Sequence, residues 1–184
     1  SLTFVEAVER LADRVGIQLR YTDDAGARPE PGARIRMAEA LRLAAEFFTE
    51  QLGSPDAVVA RQFLNERGFD REAAERFGVG FAPQHGRALL QHLRGRGFRD
   101  AELVSAGLAR ESGWDFFQGR AMWPIRDSGR QVVGFGARRL FEDDRMPAKY
   151  LNTPETLLYK KSHVLYGLDL ARTSISKKSQ AVVV

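Results

Sequence analysis

The chain contains no cysteine, and its 184 residues include only three histidines. The absence of cysteine excludes a disulfide and a cysteine-ligated zinc or iron–sulfur site within this segment. No apolar run approaches the ~20 residues that a membrane-spanning helix needs, and the first residues show no basic-then-apolar secretory pattern. We therefore expect a cytoplasmic protein that makes no membrane contact.

Side chains that could hold a metal or act as a nucleophile are also sparse. His85, His92 and His163 are scattered and show neither metal-ligand nor triad spacing. Residues 142–144 (Glu-Asp-Asp) stand together, but no further ligand follows at a suitable spacing, so we interpret them as a solvated acidic turn. No serine or threonine nucleophile signature is present. The sequence thus predicts no catalytic residue and no metal site in this chain.

The charge of the chain permits an anionic partner without requiring one. Lys and Arg number 28 against 24 Asp and Glu, which gives a formal net charge of +4. The hydrophobic fraction of 43% is that of an ordinary globular domain with a sizeable core. The positions of the basic residues must therefore decide between nucleic-acid binding and a solvated basic surface.

The first half of the chain has the periodicity of helices. Thr3 and Glu6 form a capping box before a first helix, and residues 22–34 have the composition of a linker. An amphipathic helix follows and ends at Gly53, and another begins at Ser54-Pro55 and runs to Arg67.

A short sequence repeat comes next in the chain. The stretches 67–69 and 96–98 (both Arg-Gly-Phe) are each followed by a short helix and a glycine. Two copies are too few for a solenoid, so we interpret them as two similar helical hairpins.

After Gly113 the pattern changes to that of strands. Residues 122–125 and 132–135 are short apolar runs that flank Asp-Ser-Gly at 127–129, which predicts a hairpin. Residues 149–152 are expected to add an extended piece, residues 166–173 a helix, and residues 181–184 the start of a buried strand.

Two segments mix basic residues with aromatic ones. In residues 148–167, lysines, tyrosines, Asn152 and Thr153 could neutralise phosphates, stack on bases and bond to sugar. In residues 117–139, five arginines are spread along the predicted hairpin. Gly134 and Gly136 would let a nucleic-acid backbone come close to the strand. The alternatives are a solvated loop anchored by its tyrosines and a strand whose polar residues face water.

At these segments the sequence resembles the bacterial replicative DNA primases. The matching stretches are Trp123-Pro124-Ile125-Arg126-Asp127, Gly134-Phe135-Gly136-Ala137-Arg138, Ala148-Lys149-Tyr150-Leu151-Asn152-Thr153-Pro154-Glu155-Thr156, Tyr159-Lys160-Lys161 and Leu165-Tyr166-Gly167-Leu168. Residues 67–83 match a further stretch, and residues 2–8 look like the end of the family's zinc-binding domain.

The resemblance implies an α+β fold, with a helical N-terminal half followed by a small mixed or antiparallel sheet. It implies three parts: residues 1–34 as a connector helix and linker from an upstream zinc-binding domain, residues 35–178 as the template-binding subdomain of the RNA polymerase core, and residues 179–184 as the first strand of a truncated α/β Toprim module. The loop at 112–114 is short for the family.

The resemblance also assigns residues to a basic groove that holds the single-stranded template and the incoming nucleotide. These residues are Arg67, Arg120, Arg138, Lys149, Tyr150, Asn152 and Lys161. Two positions depart from the family: Gln118 stands where arginine is common, and Ala137 where glycine is usual. The first removes a charge, and the second restricts the backbone.

In the family the reaction is template-directed synthesis of a short RNA primer for DNA replication, a nucleotidyl transfer. Mg²⁺ or Mn²⁺ would be held by carboxylates beyond this chain, and Zn²⁺ by the upstream domain. The implied partners are single-stranded DNA, ribonucleoside triphosphates, the RNA–DNA hybrid and, through a further domain, the replicative helicase. The 184 residues alone are expected to make no primer.

Two other functions would use the same residues. Lys149, Tyr150 and Asn152 could form a regulatory surface that binds a guanosine phosphate. The basic face could instead dock an acidic protein, in which case binding to DNA would be absent and salt dependence weak.

Overall fold

The computed structural model of the chain describes residues 32–143 and 146–181. The predicted first helix with its capping box, most of the linker at 22–34, Asp144 of the acidic turn and the last three residues of the predicted C-terminal strand lie outside this part. The assignments of residues 1–34 to a connector and of residues 179–184 to a Toprim strand stay predictions.

The described residues form six α-helices and a four-stranded sheet, and the predicted α+β class is confirmed. The elements in chain order are α1 (Ala33–Leu52), a 3₁₀ turn (Pro55–Ala57), α2 (Val58–Asn65), α3 (Arg71–Phe77), β1 (Gly80–Ala82), α4 (Ala88–Arg94), α5 (Asp100–Ser105), β2 (Arg120–Arg126), β3 (Val132–Arg139), β4 (Tyr150–Asn152), a second 3₁₀ turn (Lys161–His163) and α6 (Leu168–Lys178).

All neighbouring strands of the sheet are antiparallel, in the order β1-β2-β3-β4. The predicted hairpin is β2–β3, and the predicted extended piece is the edge strand β4. Strand β1 was not predicted: it lies inside the helical half of the chain, where Phe81 pairs with Ala121 of β2. Three residues that are all buried show no alternation of polar and apolar positions, so a pattern search cannot find such a strand.

The two helical hairpins, α2–α3 and α4–α5, share the same turn geometry. After α2, the backbone N of Phe69 donates to the carbonyl of Leu64, and after α4 the N of Phe98 donates to that of Leu93. The glycine before each phenylalanine has a positive φ, +72° at Gly68 and +82° at residue 97, which favours glycine in both copies. The repeated Arg-Gly-Phe therefore marks a repeated helix end.

The sheet is covered on both faces by helices. On one face, the Phe48 ring of α1 makes an edge contact with Phe135 of β3, with 5.2 Å between ring centroids. On the other face, Trp123 of β2 packs against a cluster formed by Leu64 and Ala74 of the α2–α3 hairpin together with Val79, which follows α3. Because adjacent residues of a strand point to opposite faces, β2 and β3 contribute to both layers.

The carboxylate of Glu102 ties α5 to α1. It accepts a bond from Arg36 Nε (3.1 Å) and another from the backbone N of Arg99 (2.7 Å). These bonds, first of all the one from Arg36, lower the pKa of Glu102 from its ordinary 4.5 to about 2. A depressed carboxylate pKa means that its stabilising contribution is present above pH ~4.5 and is lost as the pH falls towards 2.

We expect Glu102→Gln to be less stable than the native chain at neutral pH, because the charge-assisted bonds are lost. The difference in unfolding free energy should shrink as the pH falls below ~4.5, since the native carboxylate then becomes protonated as well. Urea titrations of both chains at several pH values would measure it. A difference in unfolding free energy that stays constant with pH would contradict the lowered pKa of Glu102.

Within the described ranges, no helix is both long and apolar enough to cross a membrane.

Candidate nucleic-acid interface

Four of the predicted binding residues lie together with one phenylalanine that was not predicted. The guanidinium of Arg67, at the end of α2, lies 3.8 Å from the ring centroid of Phe63. Arg138 of β3 lies 5.4 Å from the same ring and 5.5 Å from that of Tyr150. Lys149 Nζ lies 5.8 Å from the Tyr150 ring. We call these five residues the cation–ring row.

The pairing of the strands brings the row together. Arg138 of β3 stands directly opposite Tyr150 of β4, and Asn152 stands opposite Gly136 one step along the same face. The α2–α3 hairpin covers this face through Trp123 and thereby places Phe63 beside Arg138. Residues from three separate segments thus form one surface, on which the Tyr150 side chain is 68% exposed.

The charges of the row stay available to an anion. Among the described residues, Arg138 and Lys149 form no ion pair with a carboxylate, and Arg67 has only the distant Glu66 at 3.8 Å. A ring face attracts a cation by ~0.5–1 kcal/mol at an exposed site without neutralising it. The row therefore holds three cations in place while leaving their charge for phosphates, and Tyr150 adds an exposed ring for stacking.

Asn152 is held in position by the residue that follows it. The backbone N of Thr153 donates to the Phe135 carbonyl, and the backbone N of Phe135 donates to Thr153 Oγ1, both at 2.8 Å. A Cβ on Gly134 would lie only 3.1 Å from Thr153 Cβ, so the glycine makes room for this buried threonine. The end of β4 is thereby fixed, and Asn152 remains exposed beside Tyr150.

Arg120 differs from the other predicted contacts. Its side chain is 1% exposed, and its guanidinium donates to the carbonyls of Met146 (2.9 Å) and Ala148 (3.0 Å). Arg139 donates to the carbonyl of Pro147 through its side chain and to that of Lys149 through its backbone N. Arg120 therefore positions the segment 146–149 from inside and does not face a ligand itself.

Among the described residues, no contact joins Lys161 to the cation–ring row. It begins the second 3₁₀ turn, is exposed, and its backbone N donates to Glu155 Oε1 at 3.3 Å. The turn is anchored by Tyr159, which packs against Ile125 and Val133, and burial raises the pKa of this tyrosine. At Tyr159 the structure thus supports the alternative that a tyrosine anchors a solvated loop to the core. Tyr150, in contrast, is a surface residue.

The two departures from the family pattern have local explanations. Ala137 is buried opposite Met122, so its methyl group fills core space. Gln118 donates to the carbonyl of Asp115 at 3.0 Å. Phe63 was missed because an aromatic residue on an amphipathic helix is usually assigned to the core; its spacing of four residues from Arg67 was the available signal.

Glu142 and Asp143 are exposed, as expected for a solvated acidic turn. In the described part of the chain, no three His, Cys, Asp or Glu side chains come close enough together to hold a metal ion.

Comparison with known proteins relates this chain to one family. The sequence profile described as "DNA primase catalytic core, N-terminal domain" matches residues 47–172. A DNA primase of Streptomyces coelicolor is 56% identical over 189 residues, which cover 100% of this chain and 29% of that protein. A DNA primase of Mycobacterium tuberculosis is 52% identical, with the same coverage. The chain thus spans less than a third of the length of these relatives.

Solved structures show the same fold. The RNA polymerase domain of M. tuberculosis primase DnaG, in complex with a double-stranded DNA oligomer with a 6-nucleotide overhang, has a TM-score of 0.81 and 54% identity, over 85% of this chain and 50% of that one. A DnaG primase catalytic domain bound to ssDNA has a TM-score of 0.71 and 35% identity, over 78% of this chain and 45% of that one. All five residues of the cation–ring row lie inside the matched range 47–172.

Proposed function

The chain belongs to the DNA primase family, as part of the N-terminal domain of the catalytic core, and we propose that it holds single-stranded template DNA for RNA primer synthesis. The observation that carries the proposal is the cation–ring row: three cations and an exposed tyrosine lie on one face, and among the described residues the carboxylate paired with them is Glu66, 3.8 Å from Arg67. Phosphate contacts and base stacking are the two interactions by which proteins bind single strands irrespective of sequence.

Each residue of the surface has a distinct part in this function. Arg67, Arg138 and Lys149 neutralise phosphates, Tyr150 stacks on a base, and Asn152 bonds to sugar or phosphate. Arg120 acts through the backbone that it holds. We place Lys161 in a separate contact, with the triphosphate of the incoming nucleotide or a more distant phosphate of the template. Support for DNA as the ligand comes from the related structures that contain it.

The chemical step needs groups beyond this segment. We propose that Mg²⁺ or Mn²⁺, held elsewhere in the whole primase, supplies the charge that activates the attacking hydroxyl and balances the triphosphate. The ribonucleoside triphosphates, the RNA–DNA hybrid and the helicase are partners of that whole protein, which also carries the Zn²⁺ domain and acts in the cytoplasm. This segment contributes position and electrostatics.

The proposal is tested by binding of a labelled single-stranded oligonucleotide across a salt series. If ~4 phosphates are neutralised, log K should fall with log salt at a slope near ~−3, because each contact releases ~0.7 counterion from a single strand. Fluorescence anisotropy would measure the slope. A flat response would refute template binding and favour a protein-docking surface; displacement by a guanosine nucleotide would show that a regulatory ligand shares the site.

A further inference from the structure

A cavity that the template function does not use lies between the β2–β3 turn and α6. Its volume is ≈ 550 Å³, within the ~300–1,000 Å³ range of sites that take small ligands. The residues that line it are Asp169, Arg172, Thr173, Ser176 and Lys177 of α6 and residues 128–130 of the turn. Arg172 joins the two walls, because its Nη1 donates to the carbonyl of Ser128 at 3.3 Å.

The face of α6 that lines the cavity is polar. Its five lining residues are spaced as i, i+3, i+4, i+7 and i+8, which is the spacing that normally carries the apolar stripe by which a helix packs on a protein. Within α6, the buried residue is Asp169. This wall of the cavity therefore has the periodicity of a packed helix face with the chemistry of a polar binding surface.

Asp169 contributes to the cavity a buried carboxylate without a partner. The residue is 8% exposed, and among the described residues its side chain makes no hydrogen bond and no ion pair. A place in the first turn of a helix favours a carboxylate electrostatically, but this interaction does not require burial. A buried carboxylate that lacks a donor costs free energy, and a donor on a ligand in the cavity would offset this cost.

Arg130, in the other wall, has a backbone conformation that arginine rarely adopts. Its φ is +67°, and its backbone N donates to the carbonyl of Asp127 at 3.0 Å. Glycine would take the same conformation without steric cost. An arginine at this position therefore indicates a role for its side chain that the turn itself does not need.

The lining residues define the chemistry of the ligand. Three cations, Arg130, Arg172 and Lys177, are set against the carboxylate of Asp169, which favours a ligand group with two negative charges. Within the described ranges, none of the three cations forms an ion pair. All eight lining residues are polar, charged or glycine, which suits neither a flat base nor a lipid chain. A phosphate that carries hydroxyl groups nearby meets these requirements.

The cavity is separate from the cation–ring row. Arg138 of the row pairs with Ala121, whereas the turn begins beyond Arg126 at the other end of β2. Five residues of a strand at ~3.3 Å each put ~17 Å between the two places. A ligand in the cavity can therefore be bound while the row holds a strand of DNA.

We propose that the cavity binds a phosphorylated sugar, with the phosphate held by Arg130 and Arg172 and a sugar hydroxyl donating to Asp169. Lys177 adds charge, and the hydroxyl groups of Thr173 and Ser176 bond to the remaining sugar oxygens. The site goes beyond the proposed function and does not depend on it. Because the ligand contacts both α6 and the turn, it stabilises the folded chain in proportion to its occupancy.

The first test titrates ribose 5-phosphate into the ¹⁵N-labelled chain with Arg138→Ala and Lys149→Ala, so that the phosphate cannot bind at the row. The amide resonances of residues 128–130 and 172–177 should shift saturably, and ribose without phosphate should shift none of them at the same concentrations. Shifts confined to other residues, or no shift, would overturn the proposal. Neither result affects the template function, which the salt series with the oligonucleotide tests by itself.

The second test separates a sugar phosphate from a simple anion through Asp169→Asn. This substitution should weaken binding of ribose 5-phosphate about tenfold, because the charge-assisted bond from the hydroxyl is lost. It should strengthen binding of sulfate about twofold, because sulfate has no proton to donate and a like charge is removed. A change of the same sign for both ligands would contradict the part assigned to the carboxylate.

The third test uses Arg130→Gly, which removes the side chain and relieves the positive φ. Affinity for ribose 5-phosphate should fall about tenfold while Tm stays the same or rises, so a loss of folding cannot explain the weaker binding. Arg71→Ala is the charge-matched control, because Arg71 pairs with Glu75 on α3, and its affinity should stay within about twofold of the native chain. Unchanged affinity of Arg130→Gly would refute the site.

Discussion

Replacing Arg138 and Lys149 together with alanine will flatten the salt dependence of oligonucleotide binding by about 1.4 units of slope. Each lost phosphate contact removes ~0.7 of a released counterion, so two contacts remove ~1.4. If the affinity at about 1 M salt is unchanged, the same loss amounts to roughly 25-fold in affinity at about 0.1 M salt. Tyr150 would lose both of the cations that flank its ring.

The matched control is Arg42→Ala with Arg71→Ala. Both arginines belong to exposed ion pairs within a helix, with Glu46 and Glu75 respectively. This variant removes the same formal charge from elsewhere, so an equal loss of slope in both double variants would show that net charge, and not the row, binds the strand. Lys161→Ala, measured alone, decides whether this lysine contacts the template: an unchanged slope leaves it to the incoming nucleotide.

The largest effect on stability is expected from Gly80→Ala. A Cβ at this position in β1 would lie 2.6 Å from the carbonyl carbon and from Cβ of Phe48. Because part of the obstacle is the backbone of α1, the helix must move away from the sheet, and its contact with Phe135 loosens. We expect a loss of ~3 kcal/mol, which lowers Tm by ~6–12 °C for a chain of this length.

Gly95→Ala is the control for this substitution. Gly95 follows α4 with a φ of −61°, and the nearest atom to an added Cβ is 3.5 Å away. This position accepts alanine, which should leave Tm unchanged or raise it slightly, since the unfolded chain loses freedom. Differential scanning calorimetry would compare the two variants. Equal Tm values would show that α1 is not packed on β1 at the distance described.

The parts of the fold that the sequence predicted are those with local signals. Gly53 follows the last residue of α1, and the repeated Arg-Gly-Phe marks two equivalent helix ends. The β2–β3 turn is also local: Asp127 Oδ1 accepts bonds from the backbone N of Gly129 (2.9 Å) and of Gln131 (3.0 Å). Turn residues and periodicity act over a few positions, so one segment is enough to predict them.

Features that depend on distant segments could not be predicted. Strand β1 exists because Phe81 meets Ala121 and Gly80 meets α1, neither of which its three residues reveal. Ser54, at which the sequence predicts the start of a helix, occupies the N-cap position of the 3₁₀ turn, but its side chain makes no capping bond. Arg120 and Arg138 have the same side chain and were assigned the same role, yet the alternation of strand residues turns one inward and the other outward.

The segment 146–149 has a consequence for how this surface can change between species. Its four successive carbonyls are held by Arg120 and Arg139, residues that do not depend on the side chains at 149 and 150. The backbone conformation of the segment 146–149 is therefore set independently of the side chains that the segment and Tyr150 present to a ligand. Lys149 and Tyr150 can be exchanged in evolution without rebuilding the backbone beneath them, which makes the surface adjustable one residue at a time.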